Sequence, residues 1–307
     1  MERNVLTLVA APDTAGLWDR ILPIASSALA RLGAEVEPVD WLAPAIAGDL
    51  CFGGLNVEQA ETAVRAALEN ALGGLPIDLV AQPRAGRRKR LLLADMEATV
   101  IANEMLDELA DLLGLGERIT AITQRAMNGG MDFAAALRER VALLRGVPVG
   151  VLSEAAGRIR INPGARELVA TMRANGAYAA LVSGGFRTFT GPVRRELGFD
   201  IDIANELVLQ GTQLAGTVRE PILGREAKLA ALKALAADRG VALAEAIAVG
   251  DGANDLPMLE AAGLGIAYHA KPVVIERARH RIDHGDLSAL LYIQGYRAAE
   301  IIRVKPQ

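Results

Sequence analysis

The sequence predicts an α/β protein in which a small α+β module of ferredoxin-like type precedes a doubly wound parallel sheet with an inserted helical cap. Three patterns indicate this fold. The first 83 residues carry strand and helix signals in the order β-α-β-β-α-β. Later in the chain, short apolar runs typical of buried parallel strands alternate with helical patterns. A wholly helical stretch interrupts the first of these strand and helix pairs.

Composition supports two globular units and argues against several classes of partner. The chain has 307 residues, of which 51% are hydrophobic, and this is enough for about two cores. Charged residues make up 23%, and the net charge is -4. This balance provides no electrostatic reason to expect nucleic acid or an anionic membrane as a partner.

Cysteine, histidine and the apolar runs restrict the compartment and the kind of metal site. The single cysteine, Cys51, excludes an internal disulfide and a cysteine-based zinc site. The three histidines lie near the C-terminus, so a histidine-rich metal site is not expected. No apolar run approaches the roughly 18 residues of a membrane span, and the N-terminal run is too short for a secretory signal. We therefore expect a soluble, cytoplasmic protein.

In the N-terminal module (residues 1–83), the first strand is expected at Asn4–Ala10. An amphipathic helix follows at Thr14–Leu32 and stops at Gly33. Pro23 lies inside this pattern, where it should kink the helix or mark its true start. Asn56 and Gln59 resemble a capping box ahead of a second helix that runs to Leu72. The remaining strands are expected at Ala34–Trp41, Asp49–Phe52 and Ile77–Ala81.

A basic connector, PRAGRRKR, spans Pro83 to Arg90 and leads into the second unit (residues 84–307). Such a cluster can be a nucleic-acid or membrane patch. Because this one is short and stands at the boundary between two units, we favour a solvated linker.

The second unit begins with an apolar run and continues with the elements of a parallel sheet. A stretch of helical signals at about 103–155 should form a cap over the carboxyl ends of the strands. Ile201–Val218 alternates in polarity and turns at Gln210-Gly211, which predicts a β-hairpin. The parallel strands are expected at Leu91–Ala94, Tyr178–Val182, Ala246–Val249 and Leu264–Ala267.

Polar residues follow three of these strands where each one ends. The segments are Asp95–Thr99 (DMEAT), Ser183-Gly184-Gly185 and Gly250–Asp255 (GDGAND), and Lys228 lies on the helix before the third strand. The carboxyl ends of parallel strands share one edge of a sheet, so these groups should meet there. Carboxylates, a hydroxyl, free backbone N–H groups and an ammonium can together handle a phosphoryl group and a hard cation.

These four segments, in this order, resemble the haloacid dehalogenase (HAD) superfamily of aspartyl-phosphate phosphatases. The resemblance implies a HAD-like phosphatase domain over residues 84–307, with the cap at about 103–155. The N-terminal module resembles the ACT-like, amino-acid-binding modules that precede this domain in many bacterial members. Its ligand is left open, and a homodimer formed through its sheet or its helices is an alternative role for it.

The resemblance implies that Asp95 is the nucleophile that attacks phosphorus. It also implies Mg²⁺ as the cofactor, which offsets the repulsion between that carboxylate and the phosphate dianion. The expected ligands of Mg²⁺ are the carboxylates of Asp95 and Asp251 and the carbonyl oxygen of Glu97.

The other superfamily positions are expected to bind the phosphate or to support the groups that do. Ser183 and the Gly184 N–H would hold phosphate oxygens, and Lys228 would stabilise the charge that these oxygens gain. Asp255 is expected to orient Lys228. Thr99, like Asp255, is expected to support these groups without touching the substrate.

Three cap segments are NEMLDELADLLG (103–114), AMNGGMDF (126–133) and LRERV (137–141). They resemble the cap of the branch of this superfamily that hydrolyses phosphoserine. In that branch the residue matching Glu104 meets the substrate ammonium, and the residue matching Arg140 holds its carboxylate, as a guanidinium suits. Met127 and Phe133 would cover the site and exclude water. Asn254 would bind near the phosphate.

One residue departs from the superfamily pattern. Glu97 stands where the family has an aspartate that protonates the leaving oxygen and then deprotonates water. Glutamate is one methylene longer, and misplacing a proton donor by about 1 Å costs on the order of a hundredfold in rate. Ala98 also replaces the usual serine or glycine. We favour a working Glu97, because the rest of the pattern is intact.

Three functions are therefore compared. The first is hydrolysis of O-phospho-L-serine, the last step of serine synthesis. The second is a phosphatase or phosphotransferase that acts on another small phosphomonoester. The third is a catalytically weakened protein that senses an amino acid, and only Glu97 favours it.

Overall fold

An antiparallel sheet forms the centre of the N-terminal module in the computed structural model, which describes residues 3–11, 15–74, 77–127 and 130–304. Its strands pair in the order β2-β4-β1-β5, with β3 added alongside β4. This is the ferredoxin-like order, as expected. The strands are β1 (Asn4–Ala10), β2 (Glu35–Val36), β3 (Asp40–Ala43), β4 (Ala47–Gly53) and β5 (Ile77–Pro83).

Two helices, α1 (Trp18–Arg31) and α2 (Val57–Leu72), pack against one face of this sheet. The Asn56 side chain accepts a hydrogen bond from the Gln59 N–H at 2.8 Å, so the predicted helix start is confirmed. Pro23 neither begins α1 nor ends it, because the helix starts five residues earlier. In the second turn a proline removes only one backbone hydrogen bond.

The predicted strand at Ala34–Trp41 is wrong in its extent. The chain forms two shorter strands there, β2 and β3, which both pair with β4. A register shift between Trp41 and Ala43 marks the irregular pairing of β3. Periodicity alone does not reveal such a break, because it depends on the partner strand.

The second unit contains a six-stranded, wholly parallel sheet in the order β13-β12-β11-β6-β7-β8. The predicted doubly wound fold is confirmed. The strand order reverses beside β6, and the carboxyl ends of β6, β7 and β11 meet at this switch point. The strands are β6 (Leu91–Asp95), β7 (Tyr178–Phe186), β8 (Ile201–Asn205), β11 (Ala246–Gly250), β12 (Leu264–Tyr268) and β13 (His280–Ile282).

Helices cover both faces of the parallel sheet. One face packs against α7 (Ala165–Ala174) and α8 (Arg187–Leu197), and the other against α9 (Arg225–Asp238) and α10 (Leu256–Ala261). Strand residues alternate between these two cores, as a strand covered on both faces requires. Two short helices complete the unit, α11 (Pro272–Ile275) and α12 (Ala289–Ile293).

The insertion is helical, as the sequence predicts. Its helices are α3 (Met105–Leu113), α4 (Gly116–Met127), α5 (Phe133–Ala142) and α6 (Gly150–Ala156). A hairpin of β9 (Leu207–Gln210) and β10 (Gln213–Val218) packs on α5. The predicted hairpin at Ile201–Val218 is therefore too long, because its first five residues form β8 of the parallel sheet.

Most of the basic connector is exposed, as predicted for a solvated linker, but Arg87 is half-buried and Lys89 is buried. Arg87 pairs with the buried carboxylate of Asp49 at 2.7 Å. The ammonium of the buried Lys89 donates to the carbonyl oxygens of Gly86 and Ala244. Arg88 stacks on a tyrosine ring, 4.2 Å from its centroid. The positive charges join the two units, a role that composition does not distinguish from solvation.

The two units share a core. The sheet face of the N-terminal module that points away from its helices packs against the second unit, and residues of β1 and β5 belong to the largest apolar cluster of the second unit. We propose residue 83 as the boundary, because β5 ends there and β6 belongs to the other sheet.

Among the described residues, no helix has both the length and the apolar character needed to cross a membrane.

Buried polar contacts reinforce this junction. The Asp78 carboxylate of β5 accepts hydrogen bonds from the backbone N–H groups of Asp283, His284 and Gly285, the shortest at 2.7 Å. Glu61 of α2 contacts the buried His280 ring of β13 at 3.1 Å. The N-terminal module is therefore held to the edge of the parallel sheet by specific hydrogen bonds as well as by apolar packing.

We expect Asp78→Ala to lower the free energy of unfolding of the N-terminal module by about 2 kcal/mol, because it removes the acceptor of buried N–H donors. Both tryptophans, Trp18 and Trp41, lie in this module, so their fluorescence during urea unfolding measures the effect. Asp19→Ala on the exposed surface of α1 is the control and should change it by less than about 0.5 kcal/mol. Equal midpoints for the two variants would contradict the assigned role of Asp78.

Candidate active site

Three strand ends and one helix bring the predicted site residues together at the switch point of the sheet. Asp95 ends β6, Ser183 lies near the end of β7, and Asp251 directly follows β11. Lys228 lies in the first turns of α9. All four side chains are buried.

Lys228 links two carboxylates. Its ammonium lies 2.7 Å from Asp95 Oδ1 and 2.5 Å from Asp255 Oδ1, and the residue is only 2% exposed. Burial lowers the pKa of Lys228, but the charges of Asp95 and Asp255 outweigh burial and raise it above its usual range. The lysine therefore remains a cation. Burial and the charge of Asp255 raise the pKa of Asp95 well above its ordinary value, although Lys228 opposes the shift.

The carboxylates at this edge can hold a cation. Oxygen atoms of Asp95, Asp251 and Asp255 all lie within 4.8 Å of one another, and all three residues are buried. Among the described residues, these three carboxylates exceed the charge of the two lysines that contact them, Lys228 and Lys271, and hard divalent cations prefer such oxygen donors. The donor set fits Mg²⁺. Asp255, expected only to orient Lys228, belongs to this cluster as well.

Glu97 lies beside the segment Ser183-Gly184-Gly185 at the end of β7. Its Oε1 accepts from the Met105 N–H at 2.9 Å, and its Oε2 accepts from the Ser183 hydroxyl at 3.4 Å. Burial, together with the charge of Glu104, raises the pKa of Glu97 to about 7. A carboxyl group with a pKa near neutrality can both give and take a proton at physiological pH.

The longer side chain of Glu97 is accommodated by a glycine. A Cβ atom on Gly185 would lie 2.7 Å from Glu97 Oε2, so a larger residue at 185 would displace this carboxylate. The turn that carries Glu97 contains Ala98 at φ 52°, a left-handed conformation that non-glycine residues adopt at a cost. The space for glutamate thus comes from β7, the strand that pairs with β6.

Ser183 and Gly184 are held in place by neighbours on two strands. The Ser183 hydroxyl accepts from the Gly185 N–H at 2.9 Å. The Gly184 carbonyl accepts from the Asn205 side chain at 2.8 Å, and Asn205 also bonds both backbone groups of Leu223. Sequence analysis missed Asn205, because it assigned the strand that ends there to a hairpin.

Two other predicted residues support the strand ends. The Thr99 hydroxyl donates to Asp251 Oδ1 at 3.5 Å, and the Asn162 side chain binds the Thr99 carbonyl at 2.7 Å. Asn254 is half-buried in the loop after β11, and its Oδ1 lies against Gly252. The Thr99 hydroxyl is therefore hydrogen-bonded to one of the three clustered carboxylates, that of Asp251.

The cap touches the sheet edge through Phe133, the first residue of α5. Its ring lies 3.2 Å from the positions that Cβ atoms on Gly184 and Gly224 would take, although the residue is 37% exposed overall. The two glycines thus provide a flat surface for the ring. Met127 ends α4, and its side chain lies outside the described residues.

Two charged residues of the cap, Glu104 and Arg140, lie close enough to Glu97 to influence one another electrostatically. Burial lowers the pKa of Arg140, and the negative charges of Asp107, Glu97 and Glu104 oppose this shift. Glu104 is the residue that precedes α3. An arginine and a glutamate near Glu97 can recognise a substrate that carries both a carboxylate and an ammonium.

Sequence analysis also missed Lys271. Its ammonium lies 3.2 Å from Asp251 Oδ2 and 3.6 Å from Glu104 Oε1. The residue follows β12 at the carboxyl edge of the sheet, and this position was the available signal. The strand itself was predicted, but the residues after it were not considered.

Comparisons with known proteins agree with this geometry. Residues 92–260 match the family model for haloacid dehalogenase-like hydrolase. The chain is 35% identical over 301 residues to a phosphoserine phosphatase of Streptomyces coelicolor, covering 97% of this chain and 72% of that protein. It is 40% identical over 229 residues to a phosphoserine phosphatase of Archaeoglobus fulgidus, covering 74% of this chain and 67% of that protein.

Solved structures show the same architecture over nearly the whole chain. A HAD family hydrolase of Salmonella enterica serovar Typhi superimposes with a TM-score of 0.81 at 29% identity, covering 95% of this chain and 99% of that one. A probable phosphoserine phosphatase of Vibrio cholerae superimposes with a TM-score of 0.76 at 29% identity, covering 97% and 88%. Both matches include the N-terminal module.

The raised pKa of Glu97 predicts that the metal-free protein loses stability as the pH rises. Between pH 4.5 and about 7 the folded state keeps a proton that the unfolded state releases, so stability falls as pH rises through this range. Glu97→Gln cannot ionise. We expect its melting temperature to match the parent near pH 4.5 and to exceed it by about 2–4 °C at pH 8.

Calorimetry in the presence of a chelator measures this difference at both pH values. Glu117→Gln, at an exposed position on α4, is the control and should show no pH-dependent difference. The assignment fails if the gap between Glu97→Gln and the parent protein is the same at pH 4.5 and at pH 8.

Proposed function

Because the chain belongs to the haloacid dehalogenase-like hydrolase family, we propose that it hydrolyses O-phospho-L-serine to L-serine and phosphate through an aspartyl-phosphate intermediate. This reaction is the last step of serine synthesis. One observation carries the proposal: a buried carboxylate, Asp95, is held by Lys228 beside a cation site, under a cap that presents both Glu104 and Arg140.

Asp95 is the proposed nucleophile. Lys228 and the Met96 N–H both bind its Oδ1, and these two bonds orient the carboxylate. An oxygen of Asp95 forms a bond to phosphorus while the bond between phosphorus and the serine oxygen breaks. Water then attacks the acyl phosphate, which releases phosphate and restores the carboxylate.

Glu97 is the proposed acid and base. In the first step its protonated carboxyl group gives a proton to the departing serine oxygen, and in the second step its carboxylate takes a proton from the attacking water. The contact with Ser183 and a pKa of about 7 support this role. They also argue against the amino-acid sensor, which only the replacement of aspartate by Glu97 favoured.

Ser183, the Gly184 N–H and Lys228 are the proposed ligands of the phosphate oxygens. The carboxylates of Asp95 and Asp251 and the Glu97 carbonyl are the proposed ligands of Mg²⁺, with Asp255 and Thr99 behind them. When bound there, Mg²⁺ offsets the charge of the phosphate dianion. Lys228 adds a second positive charge, and Asp255 keeps this lysine in place.

The cap residues are the proposed recognition elements for the amino acid. Glu104 would bind the ammonium, and Arg140 would bind the carboxylate. Phe133, together with Met127, would cover the bound substrate, and Asn254 would bind close to the phosphate. The closed position of Phe133 over Gly184 supports this arrangement, because a lid in contact with the phosphate-binding segment excludes water.

Only some surfaces of the N-terminal module could form a homodimer contact. One face of its sheet is buried by the second unit within the same chain. A dimer contact through this module would have to use the outer surfaces of α1 and α2 or the edge of the sheet near β2.

We expect Asp95→Asn to lower the turnover of O-phospho-L-serine with Mg²⁺ by about 10³-fold or more, because an amide cannot form the acyl phosphate. Glu97→Asp should retain or increase activity, since it restores the usual side chain of the family. Phosphate release measures both effects, and circular dichroism checks folding. Full activity of a folded Asp95→Asn protein would refute the nucleophile.

The two charges of the cap predict a specific pattern of substrate preference. Glu104→Gln and Arg140→Met should each raise KM for phosphoserine by about tenfold or more, because each loses a charged contact. Arg138→Met is the matched control on α5, since Arg138 forms an exposed ion pair with Glu220. Similar rates for phosphoserine and for esters that lack its amino or carboxylate group would instead favour another small phosphomonoester.

A further inference from the structure

Lys271 lies between the proposed cation site and the proposed binding site for the substrate ammonium. Its ammonium lies 3.2 Å from Asp251, a proposed cation ligand on the sheet, and 3.6 Å from Glu104, the proposed ammonium ligand on the cap. One lysine thus bridges the second unit's sheet and the first residue of its cap. An ammonium carries three donors, so it can serve both carboxylates at once.

The backbone of Lys271 is well anchored. Its N–H donates to the Asp251 carbonyl at 3.1 Å, and its carbonyl accepts from the Val274 N–H at 2.8 Å. His269, two residues earlier, adopts a left-handed φ of 42° and donates its N–H to the Ile282 carbonyl at 2.8 Å. These contacts direct the side chain toward the mouth of the site, where it remains 56% exposed.

Among the described residues, Lys271 is the ion-pair partner of Glu104, and this contact leaves one carboxylate oxygen for a second partner. Lys271 contacts Oε1, and a carboxylate offers a second oxygen, Oε2. A lysine on Oε1 and a substrate ammonium on Oε2 do not compete for the same atom. The positive charge of Lys271 also offsets the repulsion between the carboxylates of Glu104 and Asp251, since it contacts both of them.

We propose that Lys271 is a positioning residue for amino-group recognition: it holds the Glu104 carboxylate in the orientation that receives the ammonium of the substrate. This inference rests on the proposed function, in which Glu104 binds that ammonium. Lys271 does not touch the reacting atoms. Its contribution is to the preference for an ester with an amino group over the same ester without one.

The test compares two ligands that differ only in that group, O-phospho-L-serine and the phosphate ester of 3-hydroxypropionate. Their dissociation constants are measured by calorimetry with Mg²⁺ in the full chain carrying Asp95→Asn, which prevents turnover. Lys271→Met should weaken phosphoserine about tenfold and the amino-free ester less than about twofold. Lys271→Arg should restore the preference, because a guanidinium can also bridge the two carboxylates.

The kcat/KM ratio of the two esters in the parent background provides a second measurement, in which the change should appear in KM rather than in kcat. Lys233→Met, at an exposed position on α9, is the matched control and should leave the ratio unchanged. A loss that is equal for both esters would overturn the inference, since it would mean that Lys271 acts only through Asp251.

Glu104→Gln separates this inference from the proposed function. If Glu104→Gln lowers the preference and Lys271→Met does not, the role of Lys271 is wrong and the proposed function stands. If neither variant changes the preference, Glu104 does not bind the amino group, and both claims about recognition fail together. A loss of preference in both variants supports the inference.

Discussion

The site depends on confining several negative charges at one buried edge of the sheet. Asp95, Asp251 and Asp255 place carboxylate oxygens within 4.8 Å of one another, and Lys228 is the cation that contacts two of them. Such a cluster is costly to bury without further positive charge. The same imbalance makes the site receptive to a divalent cation, and with that cation to a phosphate dianion. The negative charge that is costly to bury is therefore the same charge that can bind a divalent cation.

Three glycines shape the site as much as its charged residues do, because they have no side chain to fill the space beside them. Gly185 leaves room for the carboxylate of Glu97, while Gly184 and Gly224 leave room for the ring of Phe133. Gly185 of β7 leaves room for the extra methylene of glutamate, which is compatible with the proposed role of Glu97 as acid and base. Space provided by one strand thus compensates for a change on its neighbour.

The N-terminal module helps to position the loop after β12, at the carboxyl edge of the parallel sheet, through a series of hydrogen bonds. Asp78 binds the backbone of residues 283–285, and the carbonyl of Gly285 contacts the His269 ring at 2.9 Å. His269 lies in the same short loop as Lys271. The loop that supports the cap glutamate is therefore braced by hydrogen bonds that begin in the other unit. The basic connector adds its own contacts across the junction, notably between Arg87 and Asp49.

The sequence by itself determined the fold class, four of the six parallel strands and the strand-end positions of Asp95, Ser183 and Asp251, because apolar runs and strand-end polar residues are local patterns. Only the tertiary structure decided the rest. The assignment of 201–205 to the parallel sheet, the ion pair of Arg87 with Asp49 and the bridging position of Lys271 all depend on partners far away in the chain. Hydrogen-bond partners and charge neighbours across elements leave no periodic signal, so pattern alone could not reveal them.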